Sequence, residues 1–230
     1  MGTARALKDR DERADSVLRL QSSNGNPLTI DSVRSKVGAY KGVIECRVDG
    51  GGLTLIDELP MEDYLAGLGE EPDTEPYEKQ RAFAIAARTY ASFYLQNDQR
   101  KFPGKPYDGS DDPATFQSYF GVNFTADNPS WARAALSTAG EVLMSGNVII
   151  KPPYFSSDDG RTRSPAEAGW NNFPNANLFL SKPDPWCTGL TLRGHGVGMS
   201  GCGALGQAKE GRSAEQILQY YYPGVRITSL

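Results

Sequence analysis

The stretch Glu75-Pro76-Tyr77-Glu78-Lys79-Gln80-Arg81-Ala82-Phe83-Ala84-Ile85-Ala86-Ala87-Arg88-Thr89-Tyr90-Ala91-Ser92-Phe93-Tyr94-Leu95 decides the fold. It is rich in Ala and long side chains and, beyond Pro76 in its first turn, holds no Gly or Pro. It therefore predicts one long helix over about 75–95. Tyr77, Arg81, Ala84 and Arg88 fall at i, i+4, i+7 and i+11, one helical face. Ala82, Phe83, Ala86, Ala87 and Tyr90 cover much of the remainder and suit packing. Arg81 and Arg88 lie about 10.5 Å apart along the axis at about 1.5 Å per residue. Such a pair suits ordering a carboxylate or binding a polyhydroxylated or anionic ligand. The plainer alternative is a surface helix with two solvated arginines.

Glu70-Glu71-Pro72 leads into that helix. Two adjacent carboxylates repel, and partial desolvation of one would let it hold a proton near neutrality, as a general acid must. Acidic loop pairs are more often simply solvated. Further upstream, Pro60 to Ala66 reads as a short helix with Pro in its first turn. Gly42–Val48 and Leu53–Ile56 flank Asp49-Gly50-Gly51-Gly52, a hairpin signal. Residues 4–20 open on the charged run Ala4 to Arg13, which reads as a solvated helix or an arm.

Downstream, residues 101–125 are loop-rich. Trp131–Leu136 is helical, Val142–Met144 and Val148–Ile150 form a hairpin, and Ala214–Tyr221 is a last helix ended by Tyr222-Pro223-Gly224. Strands and helices interleave irregularly, which predicts α+β rather than a wound parallel sheet.

Gly194-His195-Gly196-Val197-Gly198-Met199-Ser200-Gly201-Cys202-Gly203-Ala204 contains the single histidine of the chain and five glycines. Such a run lets the backbone turn sharply and approach a ligand closely. A Ser200–His195 hydrolase was weighed, but residues 198–202 read Gly-Met-Ser-Gly-Cys and lack the Gly-x-Ser-x-Gly elbow. Aromatics recur in the loops, including Tyr154, Phe155, Trp170, Phe173 and Tyr220–Tyr222. Most would be core, and some would suit stacking against a sugar face.

The 230 residues can bury a real core, as one large domain or two small ones, and the formal net charge of −4 argues against nucleic acid as the main partner. Met1-Gly2-Thr3-Ala4 shows no apolar signal-peptide region. Of the three cysteines, Cys46 reads as a buried strand residue. Cys187 and Cys202 bracket the His195 segment, either as a disulfide that would imply an oxidising compartment or as two buried thiols. One His and no Cys-x-x-Cys argue against a required metal, and no cofactor is expected.

Taken in order, these segments resemble the SpoIID/LytB family of cell-wall enzymes and enhancers of wall hydrolases. Tyr40–Glu45 resembles the family's opening strand, and Leu59–Gly67 its L-x-x-E-x-Y-L-x-G segment. Glu70-Glu71-Pro72 stands at E-M-P, and Gln80–Ala91 is similar to L-K-A-Q-A-x-A-A-R-T-Y-A. Gln117–Gly121 resembles Q-x-Y-x-G, and Tyr154–Ser157 the family's serine-rich turn. Gly194–Ser200, Gly203-Ala204 and Ile217–Gly224 close the pattern.

The resemblance covers about residue 40 onward. It implies a charged arm, linker and lead-in strand over 1–39 and a catalytic domain over 40–230, with the 75–95 helix beside the active-site cleft. It implies a lytic transglycosylase that cleaves the MurNAc–GlcNAc bond of peptidoglycan and forms 1,6-anhydroMurNAc. Glu70 would be the single general acid/base. Arg81, Arg88, Gln117, Tyr119, Ser156, Ser157, His195, Gly196, Gly198, Ser200 and Tyr221 would bind substrate, without a metal. The alternative is a non-catalytic glycan-binding module that enhances a partner amidase. Either reading implies peptidoglycan strands as the partner and an extracytoplasmic location, with the leader outside this chain. The sequence departs from the family pattern at Glu71, in place of Met, and at Gly201, where Gln often follows Met-Ser. Glu71 is expected to add a charge beside Glu70 and raise its pKa.

Overall fold

The computed structural model describes residues 4–8, 17–30, 38–49, 52–96 and 99–230, with side chains described from residue 17 onward except Asp49. In chain order the elements are β1 Ala4–Lys8, β2 Leu18–Ser22, β3 Leu28–Thr29, β4 Ala39–Tyr40, β5 Val43–Asp49, β6 Gly52–Glu58, α1 Met61–Ala66, α2 Tyr77–Leu95, α3 Val122–Asp127 and α4 Pro129–Ser137. They continue as β7 Glu141–Ser145, β8 Val148–Ile149, β9 Tyr154–Phe155, β10 Met199–Ser200, α5 Gly201–Lys209, α6 Ala214–Tyr221 and β11 Arg226–Ser229. The fold is α+β, with several small sheets and one longer helix, α2.

The chain divides into two compact units. The first holds residues 1–70 and 109–129, and the second holds 71–108 and 130–230. In the first, β1-β2-β5-β6 form an antiparallel sheet. Leu20 pairs with Ile44 and Glu45 with Ile56. Glu45, 6% exposed, accepts from Arg19 at 2.7 Å and from Arg47, so the buried carboxylate is matched by cations from its own and a neighbouring strand. The helix reading of Ala4–Arg13 does not hold for Ala4–Lys8, which is a strand against β2. The rest of that run, and Gly50-Gly51 of the hairpin turn, lie outside the described residues.

In the second unit α2 is buried almost all round. Ala82, Ala84, Ala86 and Ala87 are 0% exposed, and so is Gln80. Alanine dominates because small side chains let other elements approach the axis closely from several sides. Thr89 ties α2 to β7 by accepting from the Leu143 amide at 2.9 Å, and β7 is the centre of the antiparallel sheet β11-β7-β8. Serine caps begin the last two helices. Ser200 accepts from Gly203 N–H at 3.0 Å, and Ser213 forms a reciprocal capping box with Gln216.

Candidate functional site

In the first unit two motif segments lie side by side. The Gly69 amide donates to the Ser118 carbonyl (2.8 Å), and the Phe120 amide to the Gly67 carbonyl (2.8 Å). A Cβ on Gly69 would overlap the Phe120 ring, so the absence of a side chain is what permits this approach. The pairing ends at Glu70, whose half-buried carboxylate accepts from the Ser118 amide through Oε1 at 3.1 Å. A rigid backbone donor therefore orients the carboxylate.

Gln117 and Tyr119 sit beside it in sequence but are used internally. Gln117 is 1% exposed and accepts from Tyr64 Oη at 2.9 Å. Tyr119 stacks on Tyr64 with centroids 5.3 Å apart and donates to Asp57 at 2.9 Å. Asp57, which no sequence pattern singles out, carries a carboxyl pushed up to about 6 by burial, against the lowering effect of the Tyr119 hydrogen bond. Its strand places it as one more polar residue after Thr54-Leu55-Ile56, and its half-buried tyrosine partner comes from 62 residues away.

Glu71 belongs to the second unit. It is 5% exposed and ion-paired with the equally buried Lys79 at 2.7 Å, and Lys79 also meets Glu75 at 3.3 Å. The charge at the family's Met position is thus matched by Lys79.

The arginines of α2 also separate. Arg81 lies near the surface and pairs with Glu78 at 3.1 Å. Arg88 is 1% exposed and donates to the carbonyls of Ala135 (2.8 Å) and Glu141 (3.2 Å) and to Thr138 Oγ1 (3.3 Å). It caps the last turn of α4 and ties it to the start of β7, where a guanidinium satisfies carbonyls that the helix leaves open. The two arginines, expected to bind substrate alike, therefore differ in setting: Arg81 forms a surface ion pair and Arg88 a buried strut.

The serine-rich turn and the glycine run also meet. β9 and β10 pair in parallel, Tyr154 opposite Met199 and Phe155 opposite Ser200. Ser157 bridges Arg193, and its hydroxyl donates to the Thr191 carbonyl at 2.8 Å, while Ser156 is exposed. Gly198 has φ +80, and a Cβ there would overlap the Pro153 carbonyl. Gly196 and Gly198 are buried turn positions in this pairing and offer no side chain to a ligand.

His195 rests against Trp170 (centroids 4.6 Å) and Phe155 (5.5 Å), and its Nδ1 accepts from the Val197 amide at 3.0 Å. Burial pushes it down to about 4, against the opposing hydrogen bond to the Tyr154 backbone. It is neutral near pH 7, an orienting and stacking group.

Ser200 and Tyr221, both expected to touch substrate, lie inside. Ser200, 0% exposed, donates to Asp184 Oδ2 at 2.5 Å, and Tyr221, 1% exposed, donates to the same oxygen at 2.8 Å. Asp158, also 0% exposed, is raised to about 6, chiefly by burial and further by the charge of Asp184. Cys187 and Cys202 form a disulfide, Cα–Cα 5.6 Å, whose sulfurs lie 3.6 and 3.7 Å from Ser200 Oγ. Asp158 and these two sulfurs group within 4.8 Å, but disulfide sulfurs are not thiolate ligands. Cys46 is half-buried and free.

Residues 49–144 match the SpoIID family model, Stage II sporulation protein. The chain is 25% identical over 267 aligned residues to Stage II sporulation protein D of Bacillus subtilis strain 168, covering 75% of this chain and 76% of that protein. It is 29% identical over 145 residues to Stage II sporulation protein D of Bacillus amyloliquefaciens, covering 57% of this chain and 40% of that one. The chain is thus similar to SpoIID-family proteins. The SpoIID match contains Glu70, Arg81, Arg88, Gln117 and Tyr119, and ends before the His195 segment. Among the described residues, no helix is long and apolar enough to cross a membrane.

Proposed function

We propose that this protein belongs to the SpoIID family and is a peptidoglycan lytic transglycosylase with Glu70 as its single acid/base. The observation that carries the reading is the Ser118 amide on Glu70 Oε1, at the end of the paired motif segments. One oxygen is held by backbone, and Oε2 carries the working proton. Glu70 gives this proton to the glycosidic oxygen between MurNAc and GlcNAc as the C1–O bond breaks. The resulting carboxylate then takes the proton of the muramyl C6 hydroxyl while that oxygen bonds to C1. The 1,6-anhydro ring closes, the acid is restored and no water is consumed. One carboxylate suffices, unlike the pair of an ordinary glycosidase.

Residues 40–230 would form the wall-acting part. The disulfide supports an extracytoplasmic site of action, since such bonds persist in oxidising compartments. The non-catalytic reading, a glycan-binding partner of an amidase, draws on the stacked Trp170 and Phe173 beside His195, which offer sugar contacts independent of Glu70.

The deciding experiment incubates wild-type protein and Glu70→Gln with intact and amidase-stripped peptidoglycan, followed by mass spectrometry. Glycans ending in 1,6-anhydroMurNAc, made by the wild type alone, are expected. Equal cleavage by the folded variant would overturn the assignment of Glu70. Glycan retention with no products from either protein would favour the binding module.

A further inference from the structure

Lys151 takes no part in the site described above. It lies on the connection from β8 to β9, half-buried, with Nζ 4.8 Å from the Phe173 ring centroid and 5.2 Å from that of Tyr94. Lys101 places its own Nζ 5.4 Å from the Tyr94 centroid. Phe173 stacks on Trp170 with centroids 4.9 Å apart, and Trp170 meets His195. His195, Trp170, Phe173, Lys151, Tyr94 and Lys101 therefore form an unbroken series of contacts within the second unit, aromatic at one end and doubly cationic at the other.

Among the described residues, neither Lys151 nor Lys101 forms an ion pair with a carboxylate. Burial and the like charge of Lys101 together push the Lys151 ammonium down to about 8. Removing an ammonium from water is costly, and two ring faces return part of that by cation–π attraction. A ring face offers no lone pair to the three N–H donors. What the cluster is chemically suited to gain is an anion that accepts those hydrogen bonds and screens the two cations from each other.

We propose that Lys151, backed by Lys101, binds a carboxylate carried on the wall glycan, while the Phe173–Trp170–His195 series packs against the sugar beside it. The carrier's identity rests on the peptidoglycan reading above, whereas the preference for a carboxylate rests on the cluster itself. Two sources share this chemistry: the lactyl carboxylate of a muramic acid freed of its peptide, and a carboxylate on an attached peptide.

The test uses protein with 13C-labelled lysine side chains, observed by NMR during titration with three probes. These are N-acetylmuramic acid, N-acetylmuramyl-L-alanyl-D-isoglutamine and N-acetylglucosamine. Either or both carboxylate probes should shift the Lys151 signal and raise its titration midpoint, and N-acetylglucosamine should do neither. Which of the two acts identifies the source.

Lys151→Met, which keeps the packed stem, should weaken binding of the active probe about tenfold, the loss of one charge-assisted contact. Lys151→Arg should restore most of it, and Lys101→Gln should show a smaller loss. Unchanged melting of each variant would separate these effects from misfolding. Equal response to all three probes, or wild-type binding by Lys151→Met, would overturn the proposal. Neither result bears on anhydro-product formation, so the site and the Glu70 mechanism fail separately. The Glu70→Gln protein should bind the carboxylate probe like the wild type.

Discussion

The pairing around Glu70 and the cluster around Ser200 both come from motif-bearing stretches, yet they use their polar residues in opposite ways. Around Glu70, backbone amides and carbonyls of 67–69 and 118–120 do the holding, and the carboxylate stays half-buried. Around Ser200, the side chains do the holding. Its hydroxyl meets Asp184, Tyr221, Gly203 N–H and both sulfurs of the disulfide, all buried except the half-buried Cys202. A motif thus mixes residues that meet the ligand with residues that fix the backbone. Burial separates the two kinds where sequence spacing cannot.

This contrast breaks first at Glu70. Glu70→Gln keeps the acceptor for Ser118 N–H and removes the transferable proton, so cleavage should fall on the order of 100- to 10,000-fold with little change in melting temperature. A variant that unfolds instead would make Glu70 a structural residue like Ser200. The disulfide should show the reverse pattern. Replacing both Cys187 and Cys202 by Ala opens a loop with a sequence separation of 15, which costs about 3 kcal/mol in the unfolded-chain view. Urea unfolding would read this loss, while the folded variant should retain its rate per molecule.

Ser200→Ala sharpens the contrast further. It removes a helix cap and leaves the buried Asp184 with one hydroxyl donor fewer, a combined cost of about 1–3 kcal/mol. For a chain of this size the melting point should drop by about 2–4 °C per kcal/mol. Activity measured on the folded fraction should stay near wild type. Selective loss of turnover with unchanged melting would return Ser200 to the chemistry.

Much of the fold was legible because its local signals agree with its packing. The Ala-rich run became α2, Ala214–Tyr221 became the last helix, and Gly146-Asn147 fell between paired β7 and β8. The role of Arg88 was not legible. Helical period says which residues share a face, but not that α4 and β7 lie against that face and need a donor for their carbonyls. The electrostatic influence of Asp184 on Asp158 joins residues 26 apart on turn-rich chain, where no period exists to align them. Lys151 sits in Ile149-Ile150-Lys151-Pro152-Pro153, with nothing local to show that Tyr94 and Phe173 flank it. The choice of Glu70 over Glu71 rests on the resemblance alone. Its tie to Ser118 depends on chain closure across 48 residues.

The smallest expected effect concerns pH, and it divides the buried histidine from the buried carboxyls by sign. His195 has a folded pKa of about 4 against an ordinary value near 6.5, so between these values the unfolded chain holds the extra proton. Its contribution is complete above about pH 6.5 and declines as pH falls toward about 4. Asp57 and Asp158 are each raised from 3.8 to about 6, so over that interval the folded form holds the extra proton and acidification favours folding. The carboxyls therefore mask the histidine in the wild-type profile. Comparing wild type with His195→Gln by urea unfolding at pH 7 and pH 5.5 removes their common contribution. The wild type should lose about 1 kcal/mol relative to the variant over that step. Replacing Asp57 by Asn, which can still accept from Tyr119, should remove the opposing slope of the first unit and leave that of His195 intact. An unchanged difference between wild type and His195→Gln at the two pH values would mean that the imidazole titrates near its ordinary value, and that its packing against Trp170 and Phe155 leaves it open to water.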